Sequence, residues 1–364
     1  LRRAGSAPVQ TQGLERACRG MLAARALGAK NTRNDVGELA TGFGPVEPLQ
    51  AGVELRQGQP ALGNGTAESA RNRFAIGIAD PAGPYDPVSD AQPFGTVASD
   101  GNWGSSWIVH ILPYIEQAPL YRRMLLAGGS GWGPCADNNV AAAQNVQLSV
   151  FRCPSTTLPD AVTSAYNGRN PIMMPTYAGI SGAAPVAGFA ESRLRTGATT
   201  TQDCCSGGIQ SAGGVLFPAS KLKLTGITDG TSNTLMVSEN ADFMTTVDGS
   251  KQPWTAAGPH GWIIGSYLTN WANASNTDAR GFNMTTIRYQ INLKTGWPNN
   301  PGHCGQTGVC FNAGQNIPLN STHTGGVMGL FGDASVRFVP DTIPLLSLCR
   351  LATRDDGQTD NFNF

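Results

Sequence analysis

Charged side chains are scarce in this chain: Asp, Glu, Lys and Arg together make up 14% of its 364 residues, against roughly 25% in ordinary soluble domains. Acidic and basic residues are equal in number, 25 of each. With no excess of Lys and Arg to meet phosphate, the composition argues against a nucleic-acid or anionic-membrane surface. Apolar runs are also short, and none approaches the roughly 20 residues a membrane span needs. The common catalytic signatures are missing: no G-x-S-x-G elbow, no H-E-x-x-H, no G-x-x-x-x-G-K-[ST], and no G-x-G-x-x-G after a strand. No two cysteines have C-x-x-C spacing, which removes zinc-finger and thioredoxin-type readings.

What the chain does have is glycine (46), proline (24) and eight cysteines. The first two favour β-structure with many turns over helix bundles. An even cysteine count without metal spacing suits an oxidising, exported setting. Cys304 and Cys310 bracket a short loop and are expected to bond locally, with Cys135 and Cys153 as a second pair. Cys204 and Cys205 are adjacent and expected to bond outward to different partners, which leaves Cys18 and Cys349. Four sequons, at Asn64, Asn273, Asn283 and Asn320, lie in polar, turn-prone stretches and are candidate glycan sites.

Residues 14–30 carry Leu14, Ala17, Cys18, Met21 and Leu22 at helical spacing, the pattern of an amphipathic helix. From residue 42 to 102 the chain is rich in Gly, Pro, Asp and Gln and reads as an irregular insertion, with one short strand at Phe74–Ile78. A second helix spans Trp107–Leu126, entered from Ser105-Ser106 and interrupted near Pro113. Beyond Val146 the pattern becomes strands between turns. These are Gln147–Arg152, Thr176–Ile180, Gly214–Phe217, Thr234–Glu239, Trp262–Tyr267, Val327–Phe331 and Val336–Val339. Residues 268–318 are polar and Asn-rich and are expected to form a surface excursion.

The most distinctive segment is 319–338. A polar lead with a glycine pair is followed by apolar Val327–Phe331, a Gly332-Asp333-Ala334-Ser335 turn, and Val336-Arg337-Phe338-Val339, the layout of a hairpin. Asp333 of the turn follows His323 by ten positions, with nine residues between them. This segment resembles the C-terminal signature of a large bacterial family of prepilin-type proteins, similar to type II secretion pseudopilins and named for a His, nine residues, then Asp-Gly. Other blocks match in the family's order. They are Trp107 to Tyr121, containing Pro113-Tyr114-Ile115-Glu116, then Phe151-Arg-Cys153-Pro154-Ser155 and Pro175-Thr-Tyr177-Ala-Gly179. Ile227-Thr-Asp229-Gly230-Thr-Ser-Asn233 through Glu239 and Leu348 through Thr353-Arg354 complete the set. Two departures stand out: the turn reads Asp333-Ala334 where the family has Asp-Gly, and the family's apolar N-terminal helix is not found here.

The resemblance implies an α+β fold: a pilin-like N-terminal helix packed on an antiparallel β-sheet, enlarged by loop-rich insertions at about 42–102 and 268–318. Residues 1–41 would be the remnant of that helix and 42–364 the β-rich globular domain. It also implies a structural, non-enzymatic role at the cell surface or outside it: a subunit that self-assembles into a pilus-like homopolymer, to which the cysteines and sequons add candidate disulfides and glycans. A secreted carbohydrate-binding module using exposed Trp and Asn side chains is the alternative.

His323 and Asp333 would share a hydrogen bond, either as a polar staple at the hairpin base or as half of a hydrolytic or metal site. With no nucleophile or third ligand identified, the staple is favoured and no metal is assigned. Asp229 and Glu239 invite a Ca²⁺ reading, but Asp229-Gly230 is better read as a capped tight turn.

Overall fold

The protein is described by a computed structural model covering residues 103–124, 130, 136–163, 171–196, 208–218, 220, 222–266, 280–299 and 306–359, all of which fall in one compact unit, Ala70–Phe364. The helix expected at 14–30, the strand at Phe74–Ile78, the insertion at 42–102, Asn64, Asn273, Cys18, Cys135, Cys204, Cys205 and Cys304 lie outside the described residues.

The centre is a five-stranded sheet. Its strands are β1 (Tyr177–Ala183), β2 (Leu235–Glu239), β3 (Met284–Ile287), β4 (Gly326–Phe331) and β5 (Val336–Pro340), in spatial order β5-β4-β2-β1-β3. The first four in that order pair antiparallel, whereas β1 and β3 run parallel. The sheet is therefore mixed, a correction to the antiparallel expectation. It arises because, within the expected excursion at 268–318, the described residues 280–299 and 306–318 supply β3, whose four residues are all buried, and a small core around Val309, Cys310, Ala313 and Ile317. The fold is α+β, with α1 (Trp107–Ile111), α2 (Ala118–Tyr121), α3 (Ala136–Ala143) and α4 (Leu345–Leu351) around the strands. None of the helices among the described residues is long and apolar enough to cross a membrane.

The interruption expected near Pro113 is present. Trp107–Ile111 passes into a 3-10 turn, Leu112–Ile115, which ends at left-handed Glu116 (φ 63°). Trp107 anchors this segment: its ring is buried against Phe151, and Nε1–H donates to the Asn283 carbonyl at 2.6 Å. Three expected strands differ from the structure. Gln147–Arg152 contains a 3-10 turn, Ser149–Phe151, because Leu148 and Phe151 are the buried pair and three-residue spacing suits three residues per turn. Gly258–Ile263, reaching into the expected strand at Trp262, is likewise 3-10, broken at Gly261 where φ is 62°. Gly214–Phe217 runs irregularly along β1, with Gly214 N–H donating to Ser181 O (2.8 Å) and Leu216 N–H to Ile180 O (3.0 Å). A Cβ on Gly214 would sit 2.6 Å from Gly182 N, so only glycine permits that approach.

The β4–β5 hairpin forms as expected, with Val327 opposite Val339 and Leu330 opposite Val336. Ala334 N–H closes the turn onto Phe331 O at 3.0 Å, and Ala334 itself adopts left-handed φ 67°, the arrangement of a turn followed by a bulge residue. Asp333 stiffens it by accepting from Ser335 N–H (2.9 Å) and Oγ–H (2.6 Å), bonds that hold its carboxyl below the ordinary range. Left-handed backbone costs a residue with a Cβ roughly 1–2 kcal/mol. Replacing Ala334→Gly is therefore expected to stabilise the fold by about 1 kcal/mol, less the extra unfolded-state freedom of glycine. The denaturation midpoint should rise; a fall would show that the turn carries no strain.

Candidate functional site

Three of the sequence blocks meet at one point. Cys153 lies just beyond the Ser149–Phe151 turn, and its N–H donates to Thr176 Oγ1 at 2.7 Å, while Thr176 N–H donates back to Phe151 O at 2.9 Å. This lacing fixes the Phe-x-Cys-Pro-Ser segment against the start of β1. Glu239 ends β2 opposite Tyr177 and is 1% exposed. Its Oε2 accepts the Met328 N–H of β4 at 2.8 Å, and its Oε1 lies toward His323. His323 precedes β4 and its side chain is 42% exposed. Its neighbour Thr322 donates from Oγ1 to Ser155 O at 3.0 Å, which clips this loop to the Cys153 segment.

The three side chains converge. His323 Nε2 lies 3.6 Å from Cys153 Sγ and 3.5 Å from Glu239 Oε1, and the three ligand atoms lie within 4.8 Å of one another. Among the described residues no other group of three His, Cys, Asp or Glu side chains converges in this way. Burial, followed by the neighbouring Glu239, raises the Cys153 thiol above its ordinary range, against the lowering effect of the Ser155 hydrogen bonds. Burial is also the main cause raising Tyr177, with Cys153 and Glu239 adding to it. A thiol held protonated is a weak nucleophile. In a nucleophile–base–orienter triad, moreover, the base uses one ring nitrogen for each partner, whereas here both partners face the same nitrogen. The cluster suits shared ligation better than acyl transfer.

Several expectations are corrected by this geometry. His323 meets Glu239 and Cys153, not Asp333, whose carboxylate turns to Ser335 and to Arg337 (3.1 Å) on the exposed turn. Cys153, expected in a disulfide with Cys135, is a free thiol, and so is Cys349. Cys349 is buried, and burial raises it to about 12. Cys310 is bonded as a disulfide; its expected partner, Cys304, is outside the described residues. Asn283 and Asn320 are fully buried. Their amide nitrogens donate inward, from Asn283 to Gly261 O and Ile264 O and from Asn320 to Pro318 O, so neither can carry a glycan in the folded protein.

Asp229 does not share a site with Glu239. Its two oxygens accept Asp356 N–H (2.7 Å) and Gly357 N–H (3.0 Å), so it caps the C-terminal segment, and Gly230 turns away at φ 94°. Burial chiefly, with the adjoining Asp229, pushes Asp356 up to about 6. Pro113, Tyr114, Glu116 and Pro154 are exposed, Tyr114 by 81%, and none joins the cluster. His110 sits 3.4 Å from Ser105 Oγ, and burial lowers it to about 4, so it stays neutral.

The partners of His323 had only one trace in the sequence. Three separate blocks of the family pattern each contribute one side chain able to bind a cation, and nothing local connects them. Fold and cluster together define an α+β protein centred on a five-stranded mixed sheet, with a sulfur, a nitrogen and an oxygen gathered at one end of it. The family described as "Protein of unknown function (DUF1559)" matches residues 85–346, more than two thirds of the chain. The protein belongs to this family, a bacterial, prepilin-related one. Comparison with curated proteins and with solved structures returned no match.

Proposed function

We propose that this protein is a structural, non-enzymatic subunit of a pilus-like filament at or outside the cell surface, pilin-like in that its N-terminal helix would pack on the sheet. The observation that carries this reading is the outermost strand of the sheet. β5 has a partner only in β4 among the described strands, and Val336 and Phe338, two residues apart on one face, are 60% and 41% exposed. Exposed apolar side chains on an edge strand are a template for another copy of the same chain. Contacts of that kind between non-equivalent patches propagate instead of closing. The family blocks agree in character: Trp107, Asp229 and Arg354 bond to their own fold.

The carbohydrate-binding alternative has less support: the tryptophans among the described residues, Trp103, Trp107, Trp254, Trp262 and Trp297, are buried and offer no face for stacking on a sugar. A hydrolase centred on His323 and Asp333 is disfavoured by the separation of those two side chains.

Electron microscopy of the native, oxidised full chain without detergent should show ordered filaments of one repeating subunit. The double variant Val336→Lys, Phe338→Lys should fold and leave discrete particles, since buried like charges oppose edge pairing. Monodisperse particles from the unaltered protein would overturn the reading.

A further inference from the structure

We propose that Cys153, Glu239 and His323 form a binding site for a Zn²⁺-class transition-metal ion, with Sγ, Oε1 and Nε2 as ligands and water in the fourth position. The distances carry the inference. In tetrahedral zinc sites the bonds are about 2.3 Å to sulfur, about 2.0–2.1 Å to imidazole nitrogen and about 2.0–2.2 Å to carboxylate oxygen, which places the ligand atoms roughly 3.4–3.6 Å from one another. The observed separations are 3.6 Å from Nε2 to Sγ and 3.5 Å from Nε2 to Oε1. As a hydrogen bond the second is long, since charge-assisted N–H···O contacts fall near 2.7–2.9 Å. Both partners also address one nitrogen, which can present a single proton or a single lone pair. The third separation, Sγ to the carboxylate, is within 4.8 Å, so a small closure of the Cys153 and Glu239 side chains lets one cation meet all three atoms.

The ligand chemistry selects the ion. A thiolate and an imidazole favour Zn²⁺ and its neighbours over Ca²⁺ and Mg²⁺, which take oxygen. On coordination the Cys153 thiol gives up its proton to water. The supports around the ligands are in place: Met328 N–H orients Glu239 through Oε2, Thr176 holds the Cys153 backbone, and Thr322 clips the His323 loop to Ser155. Such outer contacts orient ligands and tune affinity. The His323 side chain is 42% exposed, which puts this ligand within reach of solvent. An ion here would tie together three segments far apart in sequence, and it does so whether or not the protein forms filaments.

The test is calorimetric titration of the chelator-stripped full chain with Zn²⁺ alone, followed by Co²⁺ as a spectroscopic probe. One equivalent of Zn²⁺ should bind and raise the melting temperature, and Co²⁺ should give intense tetrahedral d–d bands with a thiolate-to-metal charge-transfer absorption. His323→Ala, at a half-exposed position, and Cys153→Ser should weaken Zn²⁺ binding by more than the ~10–100-fold that outer-shell changes cost. Cys153→Ser should also abolish the charge-transfer absorption. Cys349→Ser, which removes a free thiol outside the cluster, should leave both unchanged. Circular dichroism of each variant separates loss of ligand from loss of fold. Absence of stoichiometric binding, or equal affinity in the unaltered chain and folded His323→Ala and Cys153→Ser variants, would overturn the site.

Discussion

Replacing Trp107→Ala should destabilise the protein by about 3–5 kcal/mol, the range for removing a large buried aromatic side chain. Trp107 is 5% exposed and packs edge-on to Phe151, ring centroids 5.9 Å apart. It is also an anchor between the helical segment and the sheet. A Cβ on Gly179 of β1 would lie 3.1 Å from its indole nitrogen, so the ring rests directly on the strand. Trp107→Phe separates the two contributions. It keeps most of the packing and removes only the hydrogen bond to Asn283 O, which still accepts Gly179 N–H at 3.0 Å. That variant should cost about 1–2 kcal/mol, a neutral hydrogen bond plus a small void. Urea denaturation with an unchanged slope would measure both. An alanine variant within 1 kcal/mol of the parent would show that the helical segment docks by other contacts.

The parts of the fold legible in the sequence are those that local physics decides. The β4–β5 hairpin, β1 and β2 lie within a residue or two at most of their expected starts, because β-branched and aromatic runs between Gly and Asp turns leave few alternatives. The break at Pro113 follows from its missing N–H. Where the reading failed, the deciding contact was distant. Leu148 and Phe151 suggested a strand by their apolar character, but the two are buried three residues apart on a 3-10 turn, a spacing that suits three residues per turn. Residues 284–287 looked like part of a polar loop because Thr285 and Thr286 are hydrophilic. Both are buried nonetheless: Thr285 donates to Ile317 O, and Thr286 Oγ1 bonds Ser181 Oγ and accepts Ser211 N–H. Buried polar side chains of this kind are invisible to hydropathy and follow from satisfying hydrogen bonds in a fold this rich in irregular backbone.

The site shows the same division. Nine residues separate His323 from Asp333, and a hairpin places its ends together, so their pairing is the natural local inference. The hairpin does form, but its turn keeps Asp333 at the far end, occupied with Ser335 and Arg337, while His323 stays at the base beside the end of β2. Its true neighbours are 170 residues away at Cys153 and on another strand at Glu239. Likewise the sequons at Asn283 and Asn320 have the right pattern in polar surroundings. Pattern carries no information on burial, and both amides donate to core carbonyls.

Arg354 should be the other costly position. Its guanidinium donates through NH1 to the carbonyl of Ala212 and, at 2.6 Å, to that of Gly214. It lies 5.3 Å from the Phe217 ring centroid and reaches Asp355 at 3.5 Å. The same residue's backbone accepts Asp229 N–H at 3.1 Å and donates to Gly213 O at 3.1 Å. It therefore joins the irregular 212–217 segment, which has no strand ladder of its own, to the Asp229 turn.

Arg354→Met preserves much of the stem's packing but leaves two buried carbonyls without their donor and Asp355 with one cation fewer. A buried acceptor without a partner costs about 1–3 kcal/mol, so the loss should be about 3 kcal/mol. Arg354→Lys should recover only part of this, since one ammonium on a flexible stem cannot reproduce the planar fork. Because Asp229 accepts the N–H groups of Asp356 and Gly357, the same variant should speed hydrogen exchange at those two amides more than in β4. A variant as stable as the parent, with those amides still protected, would mean that Asp229 alone holds the C-terminal segment and that the buried guanidinium is replaceable by any side chain of its length.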